Sequence, residues 1–289
     1  MWLLIRDIWS TGRAGGTRHV RRHHGRSAGR NVFVPADFIV RDAGLDFVVA
    51  PARTLAGGSL HPINDRYVLA LYPHVDGEAH PWGPYPTRVD RLCSLDLVVA
   101  IHAVDPSVAD TAVHDDFAIP SRDQLAVALM DRDVTWGPGP YAGRARDLLH
   151  RHIDSIRRLF ARYDKLVLQV AGHPGRLVLT HGEPHRGNTI NTASGVVLID
   201  WDTALLAPAE RDLWALIEED PRIADDYARR TGVAVDEVAI RMYRIWWDLC
   251  EISLFVAYLR QPHRDTDDSL VAWERLNFYL DPARWRPLL

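Results

Sequence analysis

The chain has 289 residues, a net charge of −4, 47% apolar residues and 25% charged residues, the profile of a soluble globular protein long enough for two lobes with buried cores. That charge gives no ground for a nucleic-acid partner or a polybasic membrane contact, and no apolar run reaches the roughly 18 residues of a spanning helix. The opening Met-Trp-Leu-Leu-Ile run is cut by Arg6 and Asp7, unlike a secretory signal, and Cys93 and Cys250 stand in helix-like apolar segments as expected buried free thiols. A cytoplasmic protein is the resulting expectation.

Residues 1–30 hold seven arginines, three histidines and five glycines, with Asp7 the only acid. Such a stretch buries little apolar surface and is expected to be poorly ordered; nothing downstream supports reading it as a nucleic-acid arm. Residues 31–44 read as a short helix, with Pro35 in its first turn and Gly44 at its C-cap. Strand-like runs follow at 47–50 and 67–72, separated by the turn residues Gly57-Gly58 and Asn64-Asp65. The stretch 73–86, dense in Pro, Gly and His, reads as a connector, so 31–80 is expected to form a partial N-lobe with a hinge and 81–289 a helical C-lobe.

From Thr87 the period changes. Val89, Leu92, Leu95, Val98, Val99 and His102 recur at helical steps and predict a long amphipathic helix, on which His102 is a packed core histidine. Helices at 121–131 and 143–163 are separated by Gly137-Pro138-Gly139-Pro140. Two short apolar strands, 177–180 and 196–199, enclose a loop as a hairpin-like unit, and helices follow at about 209–219, 222–231, 235–260 and 267–280. The fold class is α+β, with a small strand-containing front part and a larger helical rear part.

The enclosed loop is His181-Gly182-Glu183-Pro184-His185-Arg186-Gly187-Asn188, and Asp200 and Asp202 follow at the end of the second strand. Acids gathered at strand tips need a cation, because adjacent carboxylates repel, and oxygen ligands favour magnesium over zinc. In kinases a catalytic-loop acid is followed five positions later by a magnesium-binding Asn and further on by a magnesium-binding Asp. Glu183, Asn188 and Asp200 repeat that order and that spacing of five.

The tract from His181 to Asn188, the run Leu198-Ile199-Asp200-Trp201-Asp202-Thr203-Ala204 and the run from Pro208 to Trp214 together resemble the aminoglycoside phosphotransferase family, and especially its spectinomycin-phosphotransferase-like branch. The likeness spans roughly residues 32–281 and is concentrated in 177–216. It implies a protein-kinase-like two-lobed fold, ATP with Mg2+, and phosphorylation of a hydroxyl on a small polar molecule, such as an aminoglycoside or spectinomycin-like antibiotic in resistance, or a choline-like amino alcohol. Carried onto this chain, Glu183 takes the place of the catalytic base, Asn188 and Asp200 hold metal, His181 orients the loop, and Asp212 ties it to the following helix. Tyr72 and His74 fall where the family's hinge contacts adenine, mainly through backbone groups. The family's C-terminal helices line the acceptor cleft, which makes Asp248 and Glu251 candidate partners of a cationic acceptor, while Tyr243, Trp246 and Trp247 read as core.

Two departures stand out. The family's commonest base is Asp, and this chain has Glu183, longer by a methylene. Kinases also grip the ATP phosphates with a strand lysine and a Gly-rich loop, whereas the only lysine here is Lys165 in the rear part, and Thr11-Gly12-Arg13-Ala14-Gly15-Gly16 follows no convincing strand and is a weak phosphate-loop candidate. A shortened or altered front lobe is the expectation, and a kinase-like protein that binds nucleotide or a partner with weak or no turnover is the alternative function. A zinc hydrolase built on His181, Glu183 and His185 is disfavoured, because Pro184 and Gly187 deny the loop the helix that an HExxH site needs. Asp202 is either a metal-supporting acid or a solvated or helix-capping one. Nothing in the sequence indicates an oligomeric state.

Overall fold

A computed structural model describes residues 2–7, 43–58, 60–64, 67–105, 113–130, 136–172, 177–285 and 288. The expected helix at 31–44, save its last two residues, and the glycine-rich run 11–16 lie outside them. In chain order the described elements are β1 (Trp2–Asp7), β2 (His61–Pro62), β3 (Tyr67–Tyr72), β4 (Glu78–Ala79), α1 (Arg88–His102), α2 (Arg122–Met130), α3 (Ala142–Arg151) and α4 (Ile153–Gly172). They continue with β5 (Leu177–Thr180), β6 (Thr189–Thr192), β7 (Gly195–Leu198), β8 (Leu205–Pro208), α5 (Glu210–Glu219), α6 (Arg222–Thr231), α7 (Glu237–Leu259), α8 (Asp267–Tyr279) and α9 (Pro282–Trp285). The fold is α+β, and the chain divides into two compact units, Met1–Asp116 with Pro174–Ile240 and Phe117–His173 with Arg241–Leu289.

The first unit holds three small sheets, ordered β1-β3-β2, β4-β6-β7 and β5-β8. Of the stretch 1–30 expected to be poorly ordered, residues 8–30 lie outside the described residues, and residues 2–7 are the strand β1. It pairs antiparallel with β3 from Trp2 opposite Tyr72 to Asp7 opposite Tyr67, because the apolar opening run is strand-forming even though the composition of the whole basic stretch is not. Residues 47–50 make less than a strand: Val48 bridges Leu198 in parallel.

The hairpin-like unit expected at 177–180 and 196–199 is also corrected. β5 pairs with β8 and β7 with β6. A two-residue turn at Ala193-Ser194, closed by Gly195 at φ +133°, gives β7 a neighbour only a few residues away, and that short closure wins over the long one. β5 is left for β8. Its Val178 and Leu179 point to opposite faces, one into a cluster with Tyr85, Leu95, Val98, Leu213 and Tyr227, the other into a cluster with Ile101, Leu198, Trp201 and Leu206. The residue that follows β5 therefore starts from a strand fixed on both sides.

α1 begins at a capping box in which Thr87 and Asp90 satisfy each other's backbone N–H groups. It buries Ser94, Leu95, Val98, Ile101 and His102 along one face.

In the second unit the single helix expected at 143–163 is two helices. The chain breaks at His152 (φ −111°, ψ 9°), whose ring lies edge-on to that of Trp285, with centroids 5.9 Å apart. The core of this unit includes Leu149, Ile156, Tyr163, Tyr243, Leu249, Ile252, Leu276 and Trp285. No described helix is long and apolar enough to cross a membrane. Cys250 is buried as expected, but Cys93 is exposed, because it sits on α1 beside the buried stripe rather than within it.

Candidate active site

The loop after β5 is held almost atom by atom. His181 is fully buried. Its backbone N–H donates to Asp212 Oδ2 at 2.8 Å and that of Gly182 to Asp212 Oδ1 at 2.5 Å. One carboxylate at the first turn of α5 thus takes two successive amides, with the helix N-terminus behind it. Gly182 is at φ +94°, and a Cβ there would run into the Arg211 guanidinium; both facts require glycine. Arg211 Nη1 in turn donates to Thr180 Oγ1 (2.9 Å) and Nη2 to the Thr203 carbonyl (2.8 Å), while Nε lies 3.8 Å from Asp115 Oδ2.

Asp212 is buried, and burial alone raises a carboxyl's pKa. The hydrogen bond from His102 and the positive charge of the nearby Arg211 guanidinium outweigh it and hold Asp212 below the ordinary carboxylate range. A carboxylate only accepts, so His102 Nε2, 3.3 Å from Asp212 Oδ2, carries the proton, and Nδ1 accepts from the Tyr227 hydroxyl at 3.0 Å. The expected core histidine is therefore also the far support of the loop.

The His181 ring joins the two strand tips. Its Nε2 lies 3.0 Å from the Ile199 carbonyl and its Nδ1 accepts from the Glu183 N–H at 3.2 Å, which assigns the neutral Nε2–H tautomer. Burial pushes the imidazole down to about 4, and the ring packs edge-on to Trp201 with centroids 4.7 Å apart. A long-range 1H–15N spectrum is expected to show this tautomer, uncharged, from neutral pH down to about 5; a doubly protonated ring at pH 6 would contradict the assignment.

Asn188, 2% exposed, donates from Nδ2 to the Glu183 carbonyl at 2.9 Å, and its own carbonyl accepts from the Ile199 N–H at 2.9 Å. With the amide nitrogen engaged, the amide oxygen is the atom left for a ligand. Asp200 follows Ile199 in the left-handed region (φ 70°, ψ 56°), a conformation Asp tolerates better than most residues and one that clusters at functional sites. Glu183, 21% exposed at its side chain, has its Oε2 3.5 Å from His185 Nε2, and the exposed Trp82 lies edge-on to His185. Glu183, Asn188 and Ile199, the residue before Asp200, are thus linked by direct hydrogen bonds.

Among the described residues no group of three or more His, Cys, Asp or Glu side chains gathers as a metal site. Magnesium does not need one, since it binds through one or two protein oxygens plus waters and substrate phosphates. The amide oxygen and carboxylate that Asn188 and Asp200 would offer suit that ion better than zinc.

The remaining expected residues fall elsewhere. Tyr72 ends β3, and His74, two residues on, pairs through Nδ1 with Asp76 Oδ1 at 3.0 Å on the surface. Asp248 is corrected: it is fully buried in the second unit, with its Oδ1 2.8 Å from Arg244 Nη1 and 3.0 Å from Arg284 Nη2, a packed ion cluster rather than a surface for a cationic acceptor. It belongs to the apolar face of α7, which periodicity along the helix could have shown. Glu251, three residues on, is part-exposed. Reading the sequence alone did not reach Tyr85, Ser94, Thr203 or Arg211 as parts of the site; the signals available were Ser94 and His102 on one face of α1 and an arginine beside Asp212.

Residues 36–243 match the model described as the phosphotransferase enzyme family. A relative, Protein StrN of Streptomyces griseus, is 29% identical over 265 residues, 85% of this chain and 75% of that one. Among solved structures, a spectinomycin phosphotransferase in complex with ADP and spectinomycin aligns with a TM-score of 0.68 at 18% identity, over 90% of this chain and 80% of that one. An ethanolamine kinase of Plasmodium vivax aligns with a TM-score of 0.56 at 13% identity, over 91% of this chain and 75% of that one. These likenesses establish a kinase-like fold.

Proposed function

We propose, from the premise that the chain belongs to the phosphotransferase enzyme family, that it transfers the γ-phosphoryl group of ATP to a hydroxyl of a small polar molecule. Glu183 accepts the hydroxyl proton as the oxygen attacks phosphorus. Asn188 and Asp200 would hold Mg2+, which would supply positive charge to offset the charge developing on the transferring phosphoryl group. His181 stays neutral and keeps the Glu183 backbone at a fixed place relative to residue 199, while Asp212 fixes the turn before it. Tyr72 and His74 flank the segment that receives adenine.

One observation carries this reading. The Asn188 side chain is bonded to the Glu183 carbonyl, and its main chain is bonded to Ile199. A base and two magnesium ligands that must act on one phosphoryl group are thereby tied to a common backbone frame, and a misplacement of about 1 Å can cost on the order of a hundredfold in such chemistry.

The acceptors named for the solved relatives, spectinomycin and ethanolamine, both carry amines, so a cationic amino alcohol or amino sugar is the substrate class to test first. A second reading, nucleotide binding with little turnover, rests on Lys165, the chain's only lysine, which lies exposed on α4 of the second unit. The phosphates would then depend on arginine or on backbone groups alone. Incubation with radiolabelled ATP, Mg2+ and a panel of aminocyclitol antibiotics, aminoglycosides, choline and ethanolamine separates the two. Label transferred to an acceptor in a Mg2+-dependent way is the expected result; nucleotide binding without transfer to any of them would favour the second reading.

A further inference from the structure

The carbonyl one peptide beyond Glu183 is held from outside the loop. Pro184 O lies 3.1 Å from the Tyr85 hydroxyl and 3.2 Å from Ser94 Oγ, and the two hydroxyls lie 3.0 Å from each other. Tyr85 is 7% exposed and Ser94 3%. Three oxygens in a triangle share two protons, so in every arrangement at least one hydroxyl donates to Pro184 O. Burial pushes the Tyr85 phenol up to about 12, which keeps its proton in place throughout the working pH range.

The support is itself anchored. The Tyr85 N–H donates to Glu219 Oε2 at 3.0 Å, and Arg91 Nη1 donates to the Tyr85 carbonyl at 3.0 Å and to Glu219 Oε2 at 3.2 Å. Ser94 and His102 are eight residues apart on the buried face of α1, and Asp212 and Glu219 lie at opposite ends of α5. The same two helices therefore grip the loop twice. His102 and Asp212 hold its first two amides, and Ser94 with the Glu219-anchored Tyr85 holds Pro184. Pro184 has no N–H and offers only its carbonyl to be held.

We propose that Tyr85 and Ser94 are paired positioning residues for the catalytic loop, each able to hold Pro184 O alone, so that Glu183 keeps its place when either is lost and moves when both are. This deepens the phosphotransferase reading and rests on it for the catalytic part. Neither side chain touches a reacting atom. Their signature is redundancy: two independent packing residues would give additive effects, whereas a shared acceptor gives non-additive ones.

The test compares Tyr85→Phe, Ser94→Ala and the double variant in the full chain, by amide hydrogen exchange, thermal unfolding and steady-state kinetics. Each single variant is expected to exchange the amides of residues 185–188 within about 1.5-fold of wild type, and the double variant at least about tenfold faster, well above the product of the two, with the rest of the first unit unchanged. In turnover the double variant is expected to lose about tenfold or more in kcat with KM for ATP little altered. Exchange in the double variant that matches wild type, or that equals the product of the two single effects, overturns the proposal; so does general acceleration across the first unit, which marks a packing defect. If wild type phosphorylates no acceptor, the functional reading fails while the exchange measurements still decide the clamp.

Discussion

Glu183→Gln and Asp200→Ala are each expected to lower kcat for acceptor phosphorylation by at least about a hundredfold. The two act on different parts of one event. The amide introduced by Glu183→Gln keeps the shape and nearly all the volume of the base but cannot take a proton, so KM for the acceptor should change little while kcat falls. On the proposed assignment, loss of the Asp200 carboxylate would remove one of two magnesium ligands, so higher Mg2+ should recover part of its activity and none of that of Glu183→Gln. Measuring initial rates at several Mg2+ concentrations separates them. An unchanged rate in either variant, or equal rescue of both by metal, would refute the assigned roles. Glu183→Asp adds a finer comparison: the shorter arm retracts the carboxylate from its 3.5 Å approach to His185, so kcat should fall by less than in Glu183→Gln and show the same pH dependence as wild type.

Asp212→Ala should be the most destabilising single change at the site. It strips the N–H groups of His181 and Gly182 and the His102 Nε2–H of their acceptor at once, in a region where water cannot replace it. Breaking a buried hydrogen-bonded charge typically costs about 3–5 kcal/mol, readable as a lowered denaturant midpoint with an unchanged slope. The pH dependence has a definite sign. Asp212 has a folded pKa below its unfolded one, so its contribution is present above the ordinary carboxylate range and disappears as pH falls through the folded value. His181 is also depressed, to about 4. Below its unfolded value of about 6.5 the unfolded chain takes up a proton that the folded chain refuses until about 4. Acid therefore weakens the first unit in two steps, between about pH 6.5 and 4 through His181 and lower through Asp212. Asp212→Ala keeps the first step and loses the second; a wild-type stability that is flat from pH 7 to 4 would contradict the burial of a neutral His181.

Much of the site was legible because its chemistry is local. The spacing of Glu183 and Asn188, the recurrence of Asp200 at a strand tip and the sequence around Asp212 mark the candidate loop without any coordinates. The helices expected from Thr87 and at 267–280 are α1 and α8, and each opens on a capping box, Thr87 with Asp90 and Thr266 with Ser269. Less visible was anything that depends on which neighbour a segment meets. The partner of β5 lies 25 or more residues further on in β8, and an apolar four-residue strand has no mark that selects β8 over β7. β6 has polar alternate residues and carries little strand signal apart from its pairing with β7. Asp248 resembles a surface acid until Arg244 and Arg284 are seen closing over it.

By itself the sequence determined the family, the α+β kinase-like class and the order of Glu183, Asn188 and Asp200 along the chain, because those follow from residue types at short, fixed spacings. Only the tertiary structure decided what holds them. The bonds from Asp212 to the His181 and Gly182 amides, from His102 to Asp212, and from Tyr85 and Ser94 to Pro184 join residues from about 30 to about 110 positions apart. Chain distance carries no information about such contacts; they exist because α1 and α5 pack their buried faces around β5, and burial leaves each loop amide and carbonyl no solvent to bond with in place of the side chain that the packing brings to it.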